Sequence, residues 1–90
     1  MVKFYKKEEH MTLSQAVSQR VRQILNEKEM TQYRLEQISG ITHGTMNSFL
    51  NGRYKSCNLT TLVLIIRAFG MTIKEFFDNP IFESQEIIVE

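Results

Sequence analysis

A segment of 22 residues, 31–52, with the sequence TQYRLEQISGITHGTMNSFLNG, limits the folds open to this chain more than any other part of it. Thr31 and Thr42 stand where two helices should begin, and a threonine hydroxyl can accept hydrogen bonds from the unpaired N–H groups of a first turn. Gly40 and Gly52 follow the two helical runs and can adopt the left-handed conformation that ends a helix. The segment therefore predicts two helices of about two turns each, joined by a turn too short for antiparallel packing.

Apolar residues repeat with a helical period on both sides of this segment. Thr12 with Gln15 forms a capping box before a one-sided apolar stripe that runs to about residue 28. Asn58 can cap a further helix, and Thr72 with Glu75 forms a second capping box before a short helix that should end ahead of residue 80. The side chains expected in the core are Leu13, Val17, Val21, Ile24, Leu25, Leu35, Ile38, Ile41, Met46, Phe49, Leu50, Leu59, Leu62, Ile65, Ile66, Phe69, Ile73, Phe76 and Phe77. The pattern predicts an all-α fold of five helices.

Several residues match, in order, the pattern of a known family. They are Thr31-Gln32, Leu35, Gly40-Ile41-Thr42, Met46, Phe49 and Gly52. On these residues the chain resembles the Cro and repressor-type helix-turn-helix regulators of phage and bacteria, and residues 58–77 resemble that family's fourth and fifth helices. The resemblance covers residues 12–79. It implies a compact repressor-like domain, with helices 2 and 3 forming the helix-turn-helix, that binds specific double-stranded DNA sequences.

Three positions depart from the family pattern. Members often pair an arginine late in the first helix with a glutamate near the end of the third, but Leu25 and Leu50 occupy those positions here. An apolar pair can replace a buried ion pair at little cost, because neither charge must then be desolvated. Glu36 stands where a small residue is usual, at the close approach of helices 2 and 3. We expect its carboxylate to point outward past its neighbour.

The resemblance implies that the third helix lies in the major groove, with its N-terminal residues against base edges. The residues expected to read bases are Thr42, His43, Gly44, Thr45, Asn47 and Ser48. Asparagine can bind adenine through two hydrogen bonds, His43 can donate to guanine, and Gly44 lets the backbone approach the DNA. Because no lysine or arginine lies between Ile41 and Gly52, we expect recognition that favours A·T pairs or uses bridging water.

Residues beside this helix are expected to contact phosphates and so to position the protein on DNA. The first turn of helix 2 offers an amide side chain, backbone N–H groups and the positive end of a helix dipole. The expected phosphate contacts are Gln32, Asn51, Arg53, Tyr54 and Lys55. Arg20, Arg22 and Arg34 are either further contacts at the rim of the interface or ordinary surface charges.

Charge is distributed unevenly along the chain, although the net charge is only +1. Residues 12–79 hold eight lysines and arginines against five acidic residues, and residues 80–90 hold three acidic residues and no basic one. We expect three parts: an N-terminal tail (1–11), the DNA-binding domain (12–79) and an acidic C-terminal tail (80–90). The modest basic excess predicts a DNA affinity that depends only weakly on salt, and a homodimer that binds a second half-site.

Residues 2–5 and 86–89 are β-prone and either pair as strands or remain frayed tails.

Other classes of function find little support in the sequence. The longest apolar run, residues 62–66, is too short to span a bilayer, no signal peptide is evident, and the single cysteine cannot form an internal disulfide. We therefore expect a cytoplasmic protein without a membrane partner. His10, His43 and Cys57 are not spaced as metal ligands, and no nucleophile has an evident base, so no enzyme activity, metal, cofactor or small-molecule ligand is expected. The alternative to a repressor is a protein-interaction module, such as an antitoxin-like partner with the same fold.

Overall fold

The computed structural model describes residues 11–52, 58–83 and 86–88. The helices within these ranges are α1 (Leu13–Glu27), α2 (Gln32–Ser39), α3 (His43–Leu50), α4 (Leu59–Ala68) and α5 (Ile73–Phe77), followed by a 3-10 helix (Pro80–Glu83). The prediction of an all-α fold with five helices is confirmed. Among the described residues, no helix is long and apolar enough to cross a lipid bilayer.

Local side-chain chemistry accounts for where the helices begin and end. The predicted cap residues each accept a hydrogen bond from the backbone N–H three positions later; they are Thr12, Thr31, Thr42, Asn58 and Thr72. Both predicted capping boxes form, at the starts of α1 and α5. Gly40 ends α2 with φ 77°, and Gly52 lies just after α3 with φ 62°, so both adopt the left-handed backbone expected of them.

One hydrophobic core lies between the helices. Its buried members are Val17, Val21, Ile24, Leu35, Ile41, Met46, Phe49, Leu50, Leu62, Ile65, Ile66, Phe69 and Phe76. Leu25 packs against this cluster and Leu50 belongs to it, so apolar packing replaces the family's ion pair at these two positions. A fully buried side chain of this kind contributes about 1.5–3 kcal/mol. The core therefore supplies the main force that holds α2 and α3 in place.

Five side chains expected in the core are in fact exposed to a third or more. They are Leu13, Ile38, Leu59, Ile73 and Phe77. Leu13, Leu59 and Ile73 are the first residues of their helices. Side chains lean toward the N-terminus of a helix, so a first residue projects past the helix end and away from the core. Phe69 is buried as expected but caps α4 rather than extending it.

The chain beyond α5 returns to α1. Phe82 packs against the core, and its ring centroid lies 4.8 Å from that of Phe77. Ile88 forms an isolated parallel bridge with Thr12: the Leu13 N–H donates to the Ile88 carbonyl, and the Ile88 N–H donates to the Met11 carbonyl. Part of the second β-prone segment is thus paired, while residues 2–5 lie outside the described residues. The division into a domain and an acidic tail at residue 80 stays a prediction.

Arg20 is neither a rim contact nor an ordinary surface charge, although the sequence suggested one or the other. It is 7% exposed. Its Nε donates to the Phe76 carbonyl at 2.7 Å, and its Nη2 donates to the Glu75 carbonyl at 3.1 Å. The guanidinium also lies 5.8 Å from the centre of the Phe76 ring. The side chain therefore connects α1 to the last turn of α5.

Candidate nucleic-acid interface

Helix α3 has one apolar side and one polar side. Met46, Phe49 and Leu50 are at most 4% exposed and pack in the core. The polar face of α3, as we call it, comprises the six predicted base-reading residues: Thr42, His43, Gly44 and Asn47, which are exposed, and Thr45 and Ser48, which are half-buried. The core thus holds α3 by its apolar side and leaves its polar face accessible. All six predicted residues are therefore at least partly accessible, and their role in reading bases stays a prediction.

At the start of α3, Thr42 caps the helix and Gly44 provides a position without a side chain. Thr42 accepts from the Thr45 N–H, and its hydroxyl donates to the Thr45 hydroxyl at 3.1 Å. A Cβ atom built on Gly44 would meet nothing within 4 Å, and Gly44 is not among the glycines with positive φ. Among the described residues, neither space nor backbone conformation therefore demands a glycine at position 44.

Glu36 corrects an expectation, because its carboxylate does not point outward past its neighbour. Its side chain is only 11% exposed and lies between α2 and α3. Its Oε2 accepts from the Gln32 amide at 2.9 Å and lies 2.8 Å from Nδ1 of His43. The Gln32 hydrogen bond lowers the pKa of Glu36 below its ordinary value; partial burial opposes this, and the hydrogen bond and charge of His43 lower the pKa further. Glu36 thus connects the first residue of α2 to the first residue of α3.

Arg22 holds the other end of α3. Its Nε donates to the Leu50 carbonyl at 3.1 Å and its Nη2 donates to Oδ1 of Asn51 at 3.4 Å. Asn51 caps α3 and donates through Nδ2 to the Asn47 carbonyl at 2.8 Å. A cation beside these carbonyls complements the negative end of the helix dipole. Arg22 therefore positions α3 against α1, a role that the sequence did not indicate.

The predicted phosphate contacts are divided between described and undescribed parts of the chain. Gln32 is half-buried at the start of α2 and directs an amide hydrogen to Glu36, while Asn51 is exposed at the end of α3. Arg53, Tyr54 and Lys55 lie outside the described residues. Arg34 is exposed on α2.

Sequence reasoning missed Glu36 and Arg22 as residues that organise this surface. Glu36 offered a signal, since it lies four residues after Gln32 and so on the same side of a helix. Its contact with His43 requires the turn at Gly40 to bring the helices together. Arg22 offered no comparable signal, because its partners at residues 50 and 51 lie in another helix.

Comparison with known proteins agrees with this geometry. A family model for Cro/C1-type helix-turn-helix DNA-binding domains matches residues 20–80. Curated proteins and solved structures yield no match. The matched range contains all of α2, α3, α4 and α5, and with them the whole polar face of α3.

Proposed function

The chain belongs to the Cro/C1-type helix-turn-helix family of DNA-binding domains, and on this basis we propose that it is a transcriptional repressor that reads the major groove of specific DNA sequences with α3. The observation that carries the proposal is the division of α3 into a buried apolar side and an accessible polar face. A helix anchored in this way can enter a major groove without unpacking its own core.

The polar face supplies hydrogen-bonding groups rather than charge. Exposed Asn47 suits adenine through its amide, and the Thr and Ser hydroxyls can donate or accept at most base edges. His43 stands at the N-terminal end of α3, the end that approaches the bases in this docking mode. The described face contains no lysine or arginine. We therefore propose recognition that favours A·T pairs or uses bridging water.

Flanking groups complete the proposed interface by contacting phosphates. The start of α2 presents Gln32 together with first-turn N–H groups, and the positive end of a helix attracts an anion. Asn51 lies at the opposite end of α3, and Arg53, Tyr54 and Lys55 follow it in the sequence. These residues would set the register of the protein on DNA without choosing the sequence.

We also propose that the protein binds as a homodimer in the cytoplasm. The basic excess of residues 12–79 is only three charges, so a single copy would release few counterions. Two copies would read half-sites about 10–10.5 base pairs apart, or a multiple of that spacing. Helix α4 also exposes apolar side chains that a protein partner could cover, with Leu59 at 72% and Leu64 at 39% exposure.

Selection from a library of randomised DNA duplexes, followed by footprinting, tests this proposal. The purified chain should enrich a two-fold symmetric sequence and protect its major groove at two places one helical turn apart. Asn47→Ala should alter the preferred base at one position in each half-site. Asn26→Ala, at an exposed asparagine in the last turn of α1, is the matched control and should enrich the wild-type sequence. Failure of the wild-type chain to enrich any duplex at low ionic strength would refute the proposal.

The exposed leucines of α4 favour a second candidate, an antitoxin-like protein-interaction module. Sedimentation of the purified chain with and without the selected duplex separates the two. A DNA-binding homodimer should sediment as two copies on one duplex. An antitoxin-like module should instead remain a single copy that associates with a protein encoded beside it. Leu59→Ser should abolish that association.

A further inference from the structure

The contact between Glu36 and His43 joins α2 to the first residue of α3. Nδ1 of His43 lies 2.8 Å from Oε2 of Glu36, while the His43 side chain as a whole is 76% exposed. One ring nitrogen is therefore engaged inside the protein. The rest of the ring stands on the polar face of α3, where Nε2 is accessible to an outside partner.

The chemistry of the three side chains dictates where the proton of the imidazole lies. An ionised carboxylate can only accept hydrogen bonds, and the Gln32 amide nitrogen can only donate. Because Oε2 of Glu36 already accepts from Gln32, its contact with His43 is favourable only when Nδ1 carries a hydrogen. A neutral imidazole protonated on Nδ1 has a lone pair on Nε2. The lowered pKa of Glu36 is consistent with an ionised carboxylate at neutral pH.

We propose that Glu36 is a positioning residue for base recognition: it keeps the proton of neutral His43 on Nδ1, so that Nε2 faces the DNA as an acceptor. This inference deepens the proposed function and rests on it. An acceptor in the major groove pairs with the exocyclic amines of adenine and cytosine. His43 then selects the amino bases, adenine or cytosine, rather than guanine, the base that the sequence alone suggested.

The same arrangement makes the choice of base depend on pH. Histidine ordinarily changes charge between about pH 5 and pH 8, and its protonated ring donates from both nitrogens. Proton uptake by Nε2 converts the acceptor into a donor, which pairs with the O6 or O4 atoms of guanine and thymine. The keto bases, guanine and thymine, are then preferred at that position.

Among the described residues, the other charged side chain that contacts α3 does so at the end remote from His43 and does not replace Glu36 in this role. Helix α2 contributes Glu36, whose carboxylate is the hydrogen-bond partner of His43. Helix α1 also packs on α3, and its charged contact within the described residues is Arg22, at Leu50 and Asn51 at the far end of the helix. Removal of Glu36 should therefore release His43 without disturbing the anchored C-terminal end of α3.

Nitrogen NMR of the free protein tests the first step without DNA. At about pH 8 the wild-type spectrum should show Nδ1 of His43 protonated and Nε2 unprotonated. The chain has two histidines, so the signals that disappear in His43→Gln identify His43 rather than His10. In Glu36→Gln the new amide can turn either its oxygen or its nitrogen toward the ring, and both tautomers should appear. A wild-type spectrum with the proton on Nε2 would overturn the proposal.

Selection from the randomised duplex library at about pH 8 and about pH 5.5 tests the second step. The wild-type chain should enrich amino bases at one position of each half-site at the higher pH and keto bases there at the lower pH. Glu36→Gln should reduce the preference at the higher pH by about three- to tenfold, the value of one net hydrogen bond, and leave the other positions unchanged. His43→Gln should lose the pH response at the same position.

Glu27→Gln, which neutralises an exposed carboxylate in the last turn of α1, is the matched control and should retain the pH response. An unchanged preference in Glu36→Gln, or equal changes at every position, would overturn the role of Glu36. Should Glu36→Gln fail to fold, the wild-type tautomer and the loss of pH response in His43→Gln still decide the question. A wild-type chain that enriches no duplex contradicts the proposed function itself, whereas enrichment without a pH response contradicts only this inference.

Discussion

Arg20 and Phe76 are joined by a 2.7 Å hydrogen bond from the guanidinium Nε to the backbone carbonyl, across 56 positions of sequence. The same guanidinium lies near the Phe76 ring and donates to the Glu75 carbonyl. The buried guanidinium of Arg20 therefore holds α5 against α1. For the same reason it is not available to contact DNA.

Arg20→Ala should therefore destabilise the fold without changing how binding responds to salt. Loss of two charge-assisted hydrogen bonds to backbone carbonyls, one of them buried, should lower the free energy of unfolding by about 2–3 kcal/mol. Thermal melting measures this effect, and a fall of roughly 10 °C is expected for a domain of this size. Arg34→Ala, at an exposed arginine, is the matched control and should change stability by less than about 0.5 kcal/mol. Equal stability losses in the two variants would contradict the role of Arg20.

Gly44→Ala should stabilise the protein and weaken its binding to DNA. Alanine in a helix is favoured over glycine by about 0.5–1 kcal/mol, and the added Cβ would meet no atom of the described residues within 4 Å. On the proposed DNA-facing surface the same methyl group would obstruct the backbone's approach. The melting temperature of Gly44→Ala should therefore rise, while its affinity for the selected duplex, measured by titration, should fall.

Gly40→Ala provides the matched comparison, because its Cβ would also meet nothing within 4 Å. Gly40 differs in its left-handed φ of 77°, which should cost alanine about 1–2 kcal/mol of stability. Stabilised Gly44→Ala protein that binds DNA as tightly as wild type would show that position 44 lies away from the DNA.

Asn47→Ala and Arg53→Ala should weaken binding in different ways. Loss of the Asn47 amide should reduce the preference for the selected duplex over a shuffled one by about 1–3 kcal/mol, since the amide would pair with a base. Arg53→Ala should weaken binding to both duplexes alike and reduce the slope of log affinity against log salt by about one. Titrations of both duplexes over a range of salt measure these quantities. Equal losses on both duplexes for both variants would refute the assignment.

Glu36→Gln should show a stability difference from wild type that depends on pH. The folded-state pKa of Glu36 is lowered from its ordinary value of 4.5, so its ionised form stabilises the fold above that pH. The contribution is lost as the pH falls through the lower, folded-state value. Melting curves should therefore show wild type more stable than the variant at neutral pH, with the gap closing below 4.5. A gap that stays constant down to about pH 3 would contradict this linkage.

Phe82→Ala should destabilise the domain, although residue 82 lies beyond the range that matches the family. Its half-buried ring packs against the core and lies 6.2 Å from the Phe76 ring and 4.8 Å from the Phe77 ring. Loss of this contact should lower the free energy of unfolding by about 1–2 kcal/mol in urea titrations. Glu83→Ala, at the exposed neighbouring residue, should change it by less than about 0.5 kcal/mol. If Phe82→Ala unfolds at the same urea concentration as wild type, the ring of Phe82 does not contribute to the stability of the domain.

The sequence by itself determined where the helices of the motif begin and end. Thr31 caps α2 by accepting from the Arg34 N–H, and Thr42 caps α3 by accepting from the Thr45 N–H. Gly40 ends α2 because its missing Cβ permits a positive φ. Each of these interactions spans at most a few residues. The residue types and their spacing were therefore enough to predict the helix-turn-helix and the apolar side of α3, while the six base-reading residues stay a prediction.

Only the tertiary structure decided what Arg20, Arg22 and Glu36 do. Each has a partner on another helix, at distances along the chain from seven residues for Glu36 to 56 for Arg20. The sequence also placed Leu59 in the core, whereas the start of α4 projects it into solvent. A charged side chain follows whichever carbonyl or carboxylate the packed helices bring within reach. Which groups come within reach depends on how the helices cross around their shared core, and no local pattern of residues encodes that crossing.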